Sequence, residues 1–483
     1  MTTTHSTDGL AEQLVLVVVD PVSTGRCLAI EAARRGHQAL ALWSTASSDR
    51  ERDVAAFAAE VDVKPSLDLT VDTLCSVGRC SPTQLLVLPG GDDGVPLADA
   101  LSARVGRPIA AAAACFNRRA KHEQQRQATL AGLRACRTAV GTRWGPEMAE
   151  VCAHSAPVVV KLAEGTGSEG VRLCASAADA QQHVEWLLAN QKPAAVTPGA
   201  IAVAAGSSCS VVVQEYLSGG EYVVDSVTRG GVHKIVMLWE YDKRQANGVD
   251  FVYFGERPLP PDAPEAARLV PYALRVLDAV GVLEGPAHTE LVLQTAEGGA
   301  PCLIEANLRC HGGSGLWVSL VERLVNYSQV SATIDGCFEP HRFDALPPLP
   351  PVPLRGAGAF LCLVNYAHGR GIVRGVPGFE AIRRLDSFLD LNPMSVTCGA
   401  WVAPTVDLST LVGMAVLYHT SAETVASDVT AVRKLEASGT LLQLDAAAAL
   451  DGSSSQQQSQ HRQGGVRRRK IGFAKATSAP ATA

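Results

Sequence analysis

The sequence predicts a multidomain chain that is α/β at its N-terminus and α+β beyond, closing in a smaller β-rich region. Three observations carry this. The apolar run LVLVVVD (14–20) is followed by the turn PVSTG, a helical pattern with a closing glycine and a second apolar run, HQALALWS, which is the order of a parallel β-α-β unit. Residues 209–243 instead alternate β-rich runs with glycine turns, the pattern of an antiparallel meander. LPPLPPVPL (346–354) then interrupts regular structure before the last runs.

Composition bounds the function. At 483 residues the chain has room for two or three domains. Hydrophobic residues make up 47% and charged residues 19%, and mean hydropathy is +0.11, which fits a soluble globular protein. No apolar run reaches the roughly 18 residues of a membrane helix, so no membrane partner is expected. The opening MTTTHSTDGLAE has no Lys or Arg and no apolar stretch, unlike a secretory signal; the expected location is cytoplasmic. The 13 cysteines are scattered and form no CxxC pair, so they read as thiols used as small hydrophobes and not as a disulfide framework. A net charge of -6 argues against a nucleic-acid partner, which calls for a basic footprint. The expected partner is a small molecule.

The first β-turn-α-β unit is Rossmann-like, but PVSTGR lacks GxGxxG, so its turn is not read as a nucleotide site. A further strand, QLLVLPG (84–90), leads through a loop into the helix of GDDGVPLADALSARVG. From Asn117 to about Arg137 the pattern is helical and rich in Lys, Arg and Gln. APVVVKLAEGTGSEGVRLC (156–174) reads as strand, glycine-rich loop and strand, with the helix ADAQQHVEWLLANQ after it. Beyond the meander come the helix EAARLVPYALRVLDAVG and two strands, GPAHTELVLQ and PCLIEANLR, joined by TAEGGA. The C-terminal region combines short β runs with one long helix. From Ala449 the chain becomes SSSQQQSQHRQGGVRRRK and cannot bury a core, so it reads as a disordered tail.

Four stretches carry chemistry. In VVVKLAEGTGSEGV, Lys161 ends a strand and Gly165, Gly167, Ser168 and Gly170 follow, a loop able to bring bare backbone N–H groups against an anionic oxygen. Its spacing is not that of a Walker A loop. In IEANLR, Glu305, Asn307 and Arg309 fall at every second position and share one face of an extended chain. Mg²⁺ takes oxygen ligands, usually one or two carboxylates with phosphate oxygens completing the set. Glu305 and Asn307 fit that need, and Glu290 would lie across the ladder if the two strands pair through TAEGGA. Arg309, one step on, suits charge developing on a phosphoryl group or oxyanion. In QEYLSGGEYVVD a strand reaches 214–217 and is expected to turn on Gly219 and Gly220; backbone there can meet an adenine edge, and Glu221 ribose hydroxyls. Around these, His288 shares the face of Glu290 and reads equally as a substrate contact or a satisfied strand histidine. Gly312 and Gly313, after His311, offer backbone to a substrate carboxylate or acyl phosphate. Tyr241, Asp242 and Lys243 read as a solvated charged turn, with a substrate lid as the alternative.

The order of these pieces, over roughly residues 10–440, resembles the ATP-grasp superfamily. The likeness rests on Lys121 in NRRAKHEQQ, the VVVKLAEGTGSEGV loop, the QEYLSGGEYVVD hinge, and the HTE with IEANLR pair. It implies an ATP-grasp fold divided into an N-terminal Rossmann-like domain (1–116), a nucleotide-binding domain (117–335), a C-terminal β-rich subdomain (336–448) and a tail (449–483). It implies ATP as cosubstrate with Mg²⁺, or alternatively Mn²⁺. The implied ATP contacts are Lys121, Lys161, Gly167, Ser168, Gly170, Val171, Glu215, Tyr216, Leu217, Glu221 and Leu303. The implied metal ligands are Glu290, Glu305 and Asn307, with Arg309 catalytic and His288, Gly312 and Gly313 near substrate. Leu162 stands where the family usually has proline after the loop lysine, and alanines fill 110–114 where relatives are more polar.

Within the superfamily the chain resembles the carboxylate-amine ligases of the L-amino acid ligase type, through WEYDKRQANGVDFVYFG, RCHGGSGLW and GMAVLYHTSAETVASDVTAVRKLE. That likeness implies an enzyme that activates a carboxylate as an acyl phosphate and joins it to an amine, releasing ADP and phosphate, with amino acids as both substrates. Homodimers are common in such families. The alternatives are an ATP-grasp carboxylase or phosphoryl-transfer enzyme, and a non-catalytic nucleotide-binding regulator. The sequence leaves the acid and the amine open.

Overall fold

The structure, a computed structural model, describes residues 13–45, 56–114, 116–190, 210–366 and 369–446. The opening segment and the tail expected from 449 onward lie outside the described residues.

The N-terminal unit is a parallel sheet in the order Ala59–Asp62, Gln38–Trp43, Val15–Val19, Leu85–Pro89. Every residue of Val15–Val19 is buried, as a central parallel strand covered on both faces requires. The turns that follow Val15–Val19 and its neighbour Leu85–Pro89 touch: a Cβ on Gly25 would lie 2.3 Å from the carbonyl oxygen of Gly90. Only glycine permits that approach, and it brings Asp92 to the edge of the site.

A small antiparallel sheet follows, in the order Thr138–Gly141, Val211–Glu215, Val158–Leu162, Arg172–Cys174. Its alternate residues Val158, Val160, Val211 and Val213 pack with Met148, Val151, Val184 and Leu187 of the helices Pro146–Ser155 and Ala177–Asn190.

The largest element is an eight-stranded antiparallel sheet: Ala300–Asn307, Glu284–Gln294, Gly219–Arg229, Val232–Ala246, Val249–Pro258, Ala357–Leu363, Gly413–His419, Phe388–Asn392. One face packs on the helix Ala266–Ala279 through Val224, Leu238, Leu291 and Leu303. Val223, Val227 and Trp239 face the other way, toward Trp317, Leu320 and the N-terminal unit. The site lies on that second side. The last three strands come from beyond the proline-rich segment, so the C-terminal β region continues the central sheet, with the helix Ala422–Ala437 packed on it through Val425 and Val432.

Three expectations need correction. The run 209–243 is not one meander, because Val211–Glu215, buried at its valines on both sides, enters the centre of the small sheet. The meander begins at Gly219, and Gly219 and Gly220 lie in its first strand, opposite Gln294 and Leu293, instead of forming a turn. The helix expected over 117–137 spans only Lys121–Leu130; Gly132, at φ +69°, takes the left-handed conformation that ends helices. The described cysteines are all free thiols, as their spacing predicts.

Candidate functional site

The hairpin Glu284–Asn307 sets the site. Its register puts His288 opposite Asn307 and Glu290 opposite Glu305, the pairing expected through TAEGGA. The Asn307 amide nitrogen stands 3.3 Å from Glu290 Oε1 and 3.4 Å from Glu305 Oε1, so three potential oxygen donors converge, and a rotated amide would present its oxygen instead. Burial would raise the Glu290 carboxyl, but Lys243 and His288 outweigh it and hold the group ionised well below the usual range. A hard divalent cation fits this donor set.

Two lysines face these acids. Lys121, the first residue of its helix, donates from Nζ to Glu305 Oε2 at 2.6 Å and to the Gly165 carbonyl at 2.6 Å. Lys161 has no hydrogen-bond or ion-pair partner among the described residues; burial, then the charge of Lys121, pulls its pKa below the ordinary lysine value. Such a cation gains most from an anion brought beside it. Gly167, Ser168 and Gly170 all sit at positive φ, +66°, +61° and +69°, so the loop bends repeatedly and exposes its N–H groups. Lys121, Lys161, Gly167 and Ser168 line one cavity with Val171, Glu215, Tyr216, Leu217, Glu221 and Leu303, whereas Gly170 bends the loop without lining it.

At the hinge, the Glu215 carboxylate turns outward to accept from Arg134 Nη1 at 2.6 Å and the Arg137 N–H at 3.1 Å, and the Tyr216 N–H is bonded to the Pro157 carbonyl. The Leu217 N–H has no partner among the described residues. Glu221 reaches the cavity, where it is ion-paired with Lys243.

The surroundings of Lys243 differ from expectation too. Tyr241, Asp242 and Lys243 form neither a solvated turn nor a lid; they lie inside the strand Val232–Ala246. Lys243 Nζ sits 4.6 Å and 4.3 Å from the ring centres of Tyr241 and Tyr253 and 3.8 Å from Glu290 Oε2. Burial opposes its charge, but Glu221 and the other surrounding groups hold its pKa well above the usual value. Asp242 pairs with Arg244 instead. The signal for this was present in Asn247-Gly248, both at positive φ, a strong hairpin dipeptide that extends the strand through DKRQ.

Arg309 is held by Asp92 through Nε to Oδ1 and Nη2 to Oδ2, both 3.0 Å, a bidentate pair. Nothing local in the sequence announces that partner. Arg309 lines a second cavity with Gly312 and Gly313, whose N–H groups have no partner among the described residues. Gly313 has φ +71°, and a Cβ there would come within 2.6 Å of the Phe360 ring. The two cavities share Thr166, Gly167, Tyr253, Glu290 and Glu305 in their walls; the carboxylates stand at the junction.

Beneath the second cavity lies a buried chain of charged groups. Asp225 accepts from His288 Nδ1 and His311 Nδ1, each at 2.8 Å, and from Trp239 Nε1 at 2.6 Å. His311 Nε2 meets Glu256 Oε1 at 2.8 Å. His288 Nε2 meets the Tyr241 hydroxyl at 3.0 Å, with Glu290 Oε1 at 3.4 Å, so both its ring nitrogens are engaged within the protein. Burial would lower the His311 pKa, but Glu256 and Asp225 carry it up to about 10. Burial would raise Asp225, yet the two histidines hold it well below the carboxylate range.

Residues 154–317 match the ATP-grasp domain family. The chain is 27% identical over 282 residues to dapdiamide A synthase of Enterobacter agglomerans, a match covering 57% of this chain and 62% of that protein. It is 30% identical over 253 residues to carnosine synthase 1 of Gallus gallus, covering 50% of this chain and 25% of that protein. The aligned segments thus span under two thirds of the length of either curated relative. Among solved structures, the L-amino acid ligase of Bacillus licheniformis superposes with a TM-score of 0.68 at 15% identity, covering 90% of this chain and 100% of that one. N5-carboxyaminoimidazole synthetase from Staphylococcus aureus, complexed with ADP, gives 0.61 at 14% identity, covering 88% of this chain and 98% of that one. These likenesses show the ATP-grasp fold.

Proposed function

We propose that this chain, which carries an ATP-grasp domain, is an ATP-dependent carboxylate-amine ligase that makes an amide or peptide bond through an acyl phosphate. One observation carries the reading: Glu290 and Glu305 stand where a cavity lined by the hinge and two lysines meets one lined by Arg309, Gly312 and Gly313. A γ-phosphate held at that junction faces a carboxylate entering from the other side.

The chain's residues would act as follows. Lys121, Lys161 and the N–H groups of the 165–171 loop bind the phosphates, the 215–217 backbone and Leu303 receive the base, and Glu221 the ribose. Glu290, Glu305 and Asn307 would hold Mg²⁺ or Mn²⁺, which supplies charge neutralisation between the anions when bound. Arg309, fixed by Asp92, offsets charge on the carboxylate and on the tetrahedral oxyanion formed when the amine attacks. Gly312 and Gly313 add N–H donors to the same oxygen. The apolar part of the second cavity, Phe360, Leu411 and Met414 among its residues, suits an organic acid or amine better than bicarbonate, and the names of the relatives point to amino acids.

The test is a screen of amino acid pairs with ATP and Mg²⁺, read by mass spectrometry for an amide and by ADP release. Product that requires both acid and amine supports the reading. Bicarbonate-dependent turnover, or none with any pair, replaces it.

A further inference from the structure

The turn that holds Arg309 also holds the glycine-rich loop, through its next residue. Asp92 and Asp93 are consecutive in the short 3₁₀ turn Asp92–Gly94. Asp92 accepts from the Arg309 guanidinium. Asp93 Oδ1 lies 2.6 Å from Arg119 Nη2. The same Nη2 donates to the Glu164 carbonyl at 2.7 Å, and Nη1 is 3.5 Å from Glu164 Oε2. Glu164 precedes Gly165, whose carbonyl accepts from Lys121 Nζ, and Lys121 pairs with Glu305. Glu305 and Arg309 leave the same strand end, so the contacts close into a ring that encircles both cavities' shared wall.

Neither end of this link is slack. A Cβ on Gly94 would lie 2.5 Å from the Val19 carbonyl oxygen, so the acidic turn is pressed against the end of a central strand. Arg119 sits in a turn closed by the Ala120 N–H on the Asn117 carbonyl at 3.0 Å. The Asn117 side chain accepts from the Arg119 N–H at 3.1 Å and donates to Glu164 Oε1 at 2.9 Å. An isolated exposed ion pair contributes little, and the Asp93 side chain is 74% exposed. Arg119, however, is 20% exposed and is held by Glu164 as well, so its guanidinium is fixed before Asp93 meets it. Arg119 and Asp93 line neither cavity. We propose that Arg119 is a positioning residue that couples the two cavities: by tying Asp93 to Glu164 it makes the turn that aims Arg309 and the loop that receives phosphate order together. Nucleotide binding then prepares the carboxylate site, and by reciprocity a carboxylate at Arg309 tightens nucleotide. This rests on the ligase reading, which gives Arg309 its carboxylate.

The experiment is amide hydrogen exchange of the full chain, read by mass spectrometry with and without ADP and Mg²⁺. In wild type the nucleotide is expected to slow exchange by about three- to tenfold in peptides of the 163–171 loop and also in peptides covering 90–94. Asp93→Ala, at an exposed position, is expected to keep the protection of 163–171 and to leave the Kd for ADP within about twofold, while the protection of 90–94 disappears. Arg119→Met should give the same pattern. A residue that only supported the fold would lower Tm without separating the two segments. Protection of 90–94 that survives in either folded variant, or that is missing in wild type while 163–171 is protected, would overturn the proposal. Should Arg119→Met not fold, Asp93→Ala decides alone. Protection of neither segment in wild type removes the nucleotide reading and the coupling with it. Amide formation is scored separately: amides made without coupling sink the role of Arg119 and spare the ligase, while coupling without any amide does the reverse.

Discussion

Arg309 and Asp92 are joined by two parallel 3.0 Å hydrogen bonds across 217 positions of sequence. The acid comes from the turn after Leu85–Pro89 and the guanidinium from just beyond Ala300–Asn307, so the N-terminal unit fixes the orientation of a group carried by the large central sheet. Burial opposes both charges, yet each holds the other ionised, Asp92 below and Arg309 above its ordinary value.

Asp92→Asn should therefore free Arg309 without removing it. The expected loss is about ten- to a hundredfold in kcat, the scale of misplacing a catalytic group, with KM for ATP nearly unchanged. Steady-state kinetics of ADP release checks this; a rise in KM for ATP alone would show that the pair shapes the nucleotide cavity instead.

Glu305 holds Lys121 and stands among the oxygen donors. Glu305→Ala should abolish measurable turnover and also the Mg²⁺ dependence of nucleotide binding. In wild type, the thermal shift caused by ADP should grow when Mg²⁺ is added and shrink with chelator; in the variant the two conditions should coincide. A variant that still responds to Mg²⁺ would place the cation elsewhere.

Lys161 is buried with no hydrogen-bond or ion-pair partner among the described residues, and burial outweighs the pull of Glu305 and Glu290 on its charge, so removing it should stabilise the empty protein slightly or leave it alone while weakening nucleotide. Lys161→Met is expected to raise the Kd for ADP about tenfold or more, the worth of one charged hydrogen bond to phosphate. Calorimetry reads the affinity and thermal melting the stability. A large loss of stability with unchanged Kd would make Lys161 structural.

His311 gives a pH signature. Its pKa is raised in the folded chain to about 10 by Glu256 and Asp225 against burial, from an ordinary value near 6.5. Its contribution to stability is thus complete below about pH 6.5 and is lost as pH rises toward 10. Tm of the wild type should fall across that window, and His311→Gln should be less stable at pH 6 but lose less over the same range. Parallel curves for the two proteins would contradict this origin.

The parts of the site legible in the sequence were those set by short-range periodicity. Glu305 and Asn307 share a face because strand side chains alternate, and Glu290 meets Glu305 because a short connection fixes hairpin register. The glycine-rich loop and the free-thiol state of the described cysteines followed from local pattern too. What escaped were pairings settled only when distant segments meet. Asp92 for Arg309 is one. Asp225 between two histidines, with Glu256 behind them, is another. The destination of Val211–Glu215 also depended on the gap between Thr138–Gly141 and Val158–Leu162 that it fills, which its own valines do not encode. Lys243 was missed for a different reason: polar residues facing a ligand cavity look like a solvated turn until the Asn247-Gly248 hairpin is recognised.

The great sheet has a narrow waist. Val249–Pro258 and Ala357–Leu363 pair only at Gly255 with Leu361 and Glu256 with Phe360, and Gly255, at φ +141°, sits so close that a Cβ would lie 2.2 Å from the Phe360 carbonyl oxygen. Glu256 and Phe360, polar floor and apolar wall of the second cavity, are thus neighbours across this join while belonging to separate strands. Substitutions on the C-terminal strands can therefore reshape the apolar wall while the carboxylates of Glu284–Gln294 and Ala300–Asn307 stay where they are.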